Sequence, residues 1–151
     1  MRRQGGSTLL ELLTVIAVVG ILAAVAVPGA AAARRAFAGD AAARKLALVL
    51  RAAQARAQAR VSIVRVSVAG DGTYVVLDMC AGHDATAAPV AAGQLGADVH
   101  TNYPGGALEF GPRGWPCLPG ASSPRAGSFT IGGGSGDPDV VVQLGGCVRC
   151  S

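Results

Sequence analysis

Aromatic side chains are scarce in this chain. Three Phe, two Tyr and one Trp make up 4% of its 151 residues, against 22 Gly. That balance suits a small β-rich body with long turns rather than a helical bundle. Charge is sparse too, at 15%, and it is unevenly placed. Residues 34 to 65 carry eight basic side chains and one acid, Asp40, whereas residues 66 to 151 carry Arg113, Arg125 and Arg149 against seven acids. The formal net charge of +4 therefore describes no single surface, and the basic stretch is judged where it lies.

Spaced catalytic sets are missing as well. His83 and His100 fall in loop-like sequence, and no Ser sits in a nucleophile elbow. The run Gly132-Gly133-Gly134-Ser135-Gly136 lacks the Lys and Ser/Thr of a phosphate loop and reads as a turn. A non-catalytic protein without cofactor or metal is expected. Trp115, in Arg113-Gly114-Trp115-Pro116, reads as a loop residue packed on the body.

What the chain has in plenty is apolar sequence near its N-terminus. Residues 1 to 6 are short, polar and basic, and a nearly unbroken apolar run covers residues 12 to 33. Its length suits a membrane-spanning helix, which needs about 20 residues at roughly 1.5 Å each. Arg2 and Arg3 precede it, which keeps that end in the cytoplasm and sends the rest across the membrane. A removable secretory signal is the competing explanation, with a small-residue cleavage site near Ala30. The run exceeds the roughly 7 to 15 apolar residues of a conventional signal, however. Glu11 discriminates further, because an ionisable group at the edge of a membrane segment is costly and is a functional candidate by default. The sequence places no basic residue within helical reach of it inside the segment, so a partner from another chain is expected.

Here the sequence resembles the type IV pilin-like family. Gly6-Ser7-Thr8-Leu9-Leu10-Glu11 is similar to the prepilin processing motif, and Pro28 falls where such pilins often carry a helix-kinking proline. The resemblance implies a prepilin peptidase that cuts between Gly6 and Ser7 and methylates the new amine of Ser7. It implies that Glu11 attracts the N-terminal amine of a neighbouring pilin or pseudopilin during filament assembly. Ser7 stands where the family usually has Phe, which trims apolar packing without removing the scissile Gly or the Glu.

Residues 34 to 60 are Ala-rich and free of Pro, so the helix is expected to continue beyond the membrane. Leu46, Val49, Leu50, Ala53 and Ala57 share one face, and Arg44 and Arg51 lie roughly opposite, with Lys45 and Arg56 on the flank. Asp40 and Arg44 are spaced for a favourable i,i+4 pair. The basic face reads as a solvated surface; contact with acidic neighbours or nucleic acid is the alternative, though no aromatics interleave for base stacking. Residues 61 to 68 alternate, Gly70-Asp71-Gly72 is a turn, and residues 74 to 78 form a second strand, together a hairpin. Residues 81 to 106 read as loop, and residues 108 to 110, 128 to 131 and 140 to 144 as three further strands.

The later strands resemble the GspH/FimT-like domain, through Leu108-Glu109-Phe110-Gly111-Pro112-Arg113-Gly114 and through Val140-Val141-Val142 followed by Gly145-Gly146-Cys147-Val148-Arg149. The resemblance implies an α+β fold, a long N-terminal helix packed on a small antiparallel β body. It implies a minor pilin or pseudopilin of a type IV pilus or a type II secretion system. Some such minor pilins bind DNA in natural transformation through a Gly-Arg-x-Arg tail. Cys147 occupies the first Arg position here and leaves Arg149 as the one candidate DNA contact.

The expected organisation is a leader over residues 1 to 6, a transmembrane and assembly helix over 7 to 33, and a periplasmic amphipathic helix over 34 to 60. The β-rich body follows over 61 to 151. The expected location is the inner membrane, single pass with a cytoplasmic N-terminus, and then a filament. All four cysteines, Cys80, Cys117, Cys147 and Cys150, follow the apolar run, and an even count in an exported domain favours disulfides. Cys147 and Cys150 on an extended strand would be about 10 Å apart and would each pair elsewhere, and the sequence does not choose the connectivity. A zinc set of Cys80, His83, Cys147 and Cys150 and a redox Cys-x-x-Cys are the other readings, the second disfavoured because the motif follows a strand instead of opening a helix.

Overall fold

The computed structural model describes residues 9–79, 88–132 and 136–150. The first element is a single helix, α1 (Leu9–Arg60), of 52 residues. Two compact units divide the chain, Met1–Ala36 and Phe37–Ser151, and α1 contributes to both.

In the second unit α1 buries Ala42, Ala43, Leu46, Ala47, Leu50, Ala53 and Ala57. Spacings of three and four place these on one stripe, and the many alanines let the sheets approach closely. The expected face is this one, with Val49 half-buried at its margin. α1 ends in a Schellman cap. Ser62 N donates to Ala57 O at 3.0 Å and Val61 N to Gln58 O at 3.4 Å, with Val61 in the left-handed region at φ 53°. The first strand therefore starts later than the alternation suggests, because residues 61 to 63 close the helix.

Nine strands follow among the described residues. β1 (Val64–Val68) and β2 (Thr73–Asp78) form the expected hairpin, paired antiparallel from Val64 with Asp78 to Val68 with Tyr74. β3 (Pro89–Gln94) and β4 (Val99–Thr101) lie in the stretch expected to be loop, so His100 sits on a strand. A short 3-10 turn precedes β5 (Ala107–Phe110), and β6 (Pro116–Cys117), β7 (Gly127–Ile131), β8 (Asp139–Val142) and β9 (Val148–Cys150) complete the series. They build two antiparallel sheets, ordered β3-β2-β1-β5-β6 and β4-β7-β8-β9.

One core joins these layers. Val64, Val66, Val68, Tyr74, Val76, Leu108 and Phe110 from the first sheet and Phe129, Ile131, Val140, Val142 and Val148 from the second cluster with the buried stripe of α1. The fold is α+β, with the helix packed on antiparallel sheets, as expected. Alternation made β1, β2, β5, β7 and β8 recognisable, since each places every second residue inward.

Candidate assembly helix and the exposed ends of the body

The described N-terminal part of α1 is apolar all round. Leu9, Leu10, Leu12, Leu13, Val15, Ile16, Val18, Val19, Ile21, Leu22 and Val25 are all exposed. Consecutive positions such as 12 and 13, 15 and 16, or 18 and 19 point to different sides of a helix, so no single partner face hides them. A helix of this kind is stable only when surrounded by lipid or by other helices. Among the described residues no helix is long and apolar enough to cross a membrane.

Glu11 stands in the first turn of this helix and is exposed, where the positive end of the helix dipole favours a carboxylate. Thr14 Oγ1 donates to Glu11 O at 2.8 Å, a side-chain back-bond onto the preceding turn. Gly6 and Ser7, the expected processing site, lie outside the described residues, as do Cys80 and His83 of the zinc reading.

The cations of the second half of α1 do something the sequence did not disclose. Lys45 Nζ donates to Gln94 O at the end of β3 at 2.7 Å and lies 5.8 Å from the centre of the Tyr74 ring. Arg51 Nη2 donates to Val148 O on β9 at 2.8 Å. Arg56 Nε donates to Asp78 Oδ2 at 2.8 Å, and Arg60 Nη1 is 3.5 Å from the same oxygen. These four side chains clip α1 to both sheets, so the basic stretch is neither a plain solvated face nor an open track for phosphates. Arg44 follows the expected pattern, 3.9 Å from Asp40 with both side chains exposed.

Arg149 is exposed on β9, the edge strand of its sheet, opposite Val141. Cys117, Cys147 and Cys150 carry free thiols, and the expected disulfides are not formed among the described residues. β9 is extended from 148 to 150, which carries Cys150 away from Cys147. Cys150 Sγ faces Ala43 O at 3.9 Å, whereas Cys117, on β6 of the other sheet, lies 3.8 Å from Trp115 O. Burial, then the nearby Glu109 carboxylate, raises the pKa of the Cys117 thiol. Among the described residues no group of three or more His, Cys, Asp or Glu is placed to hold a metal ion.

Comparison with known proteins agrees with this geometry. Residues 1–27 match the prokaryotic N-terminal methylation motif, and residues 42–146 match the type II transport protein GspH. Two crystal structures of the type IV minor pilin FimU of Pseudomonas aeruginosa (strain PAO1) share the fold. One, in space group P21, is 15% identical with a TM-score of 0.60, over 74% of this chain and 87% of that one. The other, in space group P65, is 16% identical with a TM-score of 0.60, over 74% of this chain and 91% of that one. Comparison with curated proteins finds no match.

Proposed function

For a chain that belongs to the type II transport protein GspH family, we propose the role of a minor pseudopilin or minor pilin, a non-catalytic subunit of a type II secretion pseudopilus or type IV pilus. A prepilin peptidase removes residues 1 to 6 and methylates Ser7. Residues 7 to 33 then anchor the chain once through the inner membrane, with the body on the periplasmic side, until it enters a filament with other pilins or pseudopilins.

The observation that carries this reading is the junction of two features in α1. A methylation motif occupies residues 1–27, and the helix beginning there exposes apolar side chains on every side before it becomes the buried spine of a GspH body. The apolar half favours lipid before assembly and neighbouring helices after it. Glu11 would meet the methylated amine of an adjacent subunit, where two opposite charges offset each other in a low-dielectric bundle.

An exported binding protein with an ordinary signal peptide is less well supported, since cleavage near Ala30 would cut inside the helix Leu9–Arg60. DNA binding draws on one exposed arginine of the tail, Arg149, because the cations of α1 at 45, 51, 56 and 60 are engaged within the body. The test is assembly. In a host with its own secretion or pilus machinery, the wild-type chain is expected in sheared filament fractions, and Glu11→Leu is expected to stay in the membrane fraction. Equal recovery of both in filaments would overturn the role given to Glu11.

A further inference from the structure

Two segments that the assembly role leaves unused meet at one end of the body. The loop 111–115 and the turn 143–147 touch at Gly114 and Gly146, both at positive φ, 77° and 82°. A Cβ on Gly146 would run into the Gln54 amide and the Gly114 carbonyl, so the contact requires glycine.

Both segments are held in place. Gly114 N donates to Gly111 O at 2.8 Å and Gly111 N to Trp115 O at 3.2 Å. Gln54 Nε2 donates to Gly114 O at 2.9 Å, and Gln58 Nε2 to Arg113 O at 3.4 Å. The turn closes through Gly146 N to Gln143 O at 2.8 Å and Gln143 N to Cys147 O at 2.9 Å. On this hydrogen-bonded frame Trp115 is 41% exposed and Leu144 57% exposed. The Arg113 guanidinium lies 5.4 Å from the centre of the Trp115 ring. Arg125 is exposed, and its N donates to Pro116 O at 2.7 Å, which ties its backbone to the residue after Trp115. Residues 111 to 136 contain these two arginines and no acid. Glu109, the carboxylate just before them, is buried against Arg65.

We propose that Arg113, Trp115, Arg125 and Leu144 form a docking surface for an extended acidic-apolar peptide segment of another protein. Trp and Arg dominate the energetics of protein recognition when presented on a preorganised frame, which lowers the entropy lost on binding. A guanidinium stacked on a ring keeps its in-plane donors for a carboxylate. Arg113, against the Trp115 ring, and the exposed Arg125 then meet acids, while Trp115 and Leu144 take the apolar side chains between them. Nucleic acid fits less well, because it calls for a track of cations and several stacking rings, and residues 111–125 contain two arginines and one aromatic ring. The inference stands on the body alone and does not depend on processing at Gly6.

Trp115 is the one tryptophan of the chain, so its fluorescence reports the surface directly. The full chain in detergent micelles is titrated with an acetylated peptide of alternating Glu and Leu, with its Gln-Leu analogue, and with single-stranded DNA. The Glu-Leu peptide is expected to shift the emission saturably and to weaken with salt, with the Gln-Leu peptide about tenfold weaker or more, a difference of about 1.4 kcal/mol. The double variant Arg113→Gln, Arg125→Gln is expected to lose the Glu-Leu response, whereas Arg44→Gln, on an exposed face of α1, keeps it. Trp115→Phe, read by anisotropy of labelled peptide, is expected to bind several-fold more weakly with unchanged circular dichroism. No saturable response to the Glu-Leu peptide, equal binding by the double variant, or a response to DNA alone would each overturn the proposal.

Discussion

Arg65 and Glu109 face each other across β1 and β5, with Arg65 Nη2 2.6 Å from Glu109 Oε1. They lie on the side of the sheet turned away from the core residues Val64, Val66, Leu108 and Phe110. Glu109 is nevertheless 1% exposed. The reason is the segment after β6, which folds back over them and lets Gly120 N donate to Glu109 Oε2 at 3.1 Å. Cys117, Gly120, Ala121 and Ser122 line a cavity of about 240 Å³ beside the carboxylate.

Removing one charge of this pair leaves the other buried without its counterpart. Glu109→Gln is expected to lower the unfolding free energy by about 3 kcal/mol, and Arg65→Met by a similar amount. The double variant Arg65→Met, Glu109→Gln is expected to cost less than the two single changes summed, because neither charge is then stranded. Denaturant midpoints of the four proteins, read by circular dichroism, check this.

Val61 occupies a position of the helix cap that normally belongs to glycine. A β-branched residue at φ 53° is strained by about 1 to 2 kcal/mol, and its 73% exposed side chain contributes little packing. Val61→Gly is therefore expected to raise the unfolding midpoint by an amount equivalent to about 0.5 to 1 kcal/mol, after the added freedom of the unfolded chain is counted. A lower midpoint in thermal melts would contradict the cap as described.

These two sites show what the sequence made legible and what it hid. The helix, its buried face and five strands were readable because Leu, Val and Phe recur with clear periods. β3 was not, since Pro-Val-Ala-Ala-Gly-Gln is small and almost wholly exposed and therefore has no inward half to alternate with. β4, β6 and β9, of three, two and three residues, are shorter than any period can define. Arg65 read as an outward residue of β1 and Glu109 as part of a family segment. Their meeting depends on strand register and on the fold-back of residues 117 to 121, both long-range properties. The clips from Lys45, Arg51, Arg56 and Arg60 were hidden for the same reason, for their partners lie 18 to 97 positions away.

Tyr103 gives a pH signature. Burial pushes its phenol up to about 12, with the neighbouring Arg125 opposing, and its hydroxyl donates to Arg125 O at 3.3 Å. The folded state holds the proton more tightly than the unfolded chain, whose phenol titrates near about 10. This contribution is fully present below about pH 10 and is lost as pH rises toward 12. Tyr103→Phe is expected to flatten that part of the alkaline decline in stability and to remove the late step from the phenolate absorbance titration.

The central claim is that this chain is made as a prepilin and matured at its N-terminus. Intact-mass spectrometry of the protein purified from the membranes of a host with a prepilin peptidase tests it most directly. The mature chain is expected to begin at Ser7 and to carry one methyl group on its amine. A chain that keeps residues 1 to 6, or one that starts beyond Ala30, would contradict it.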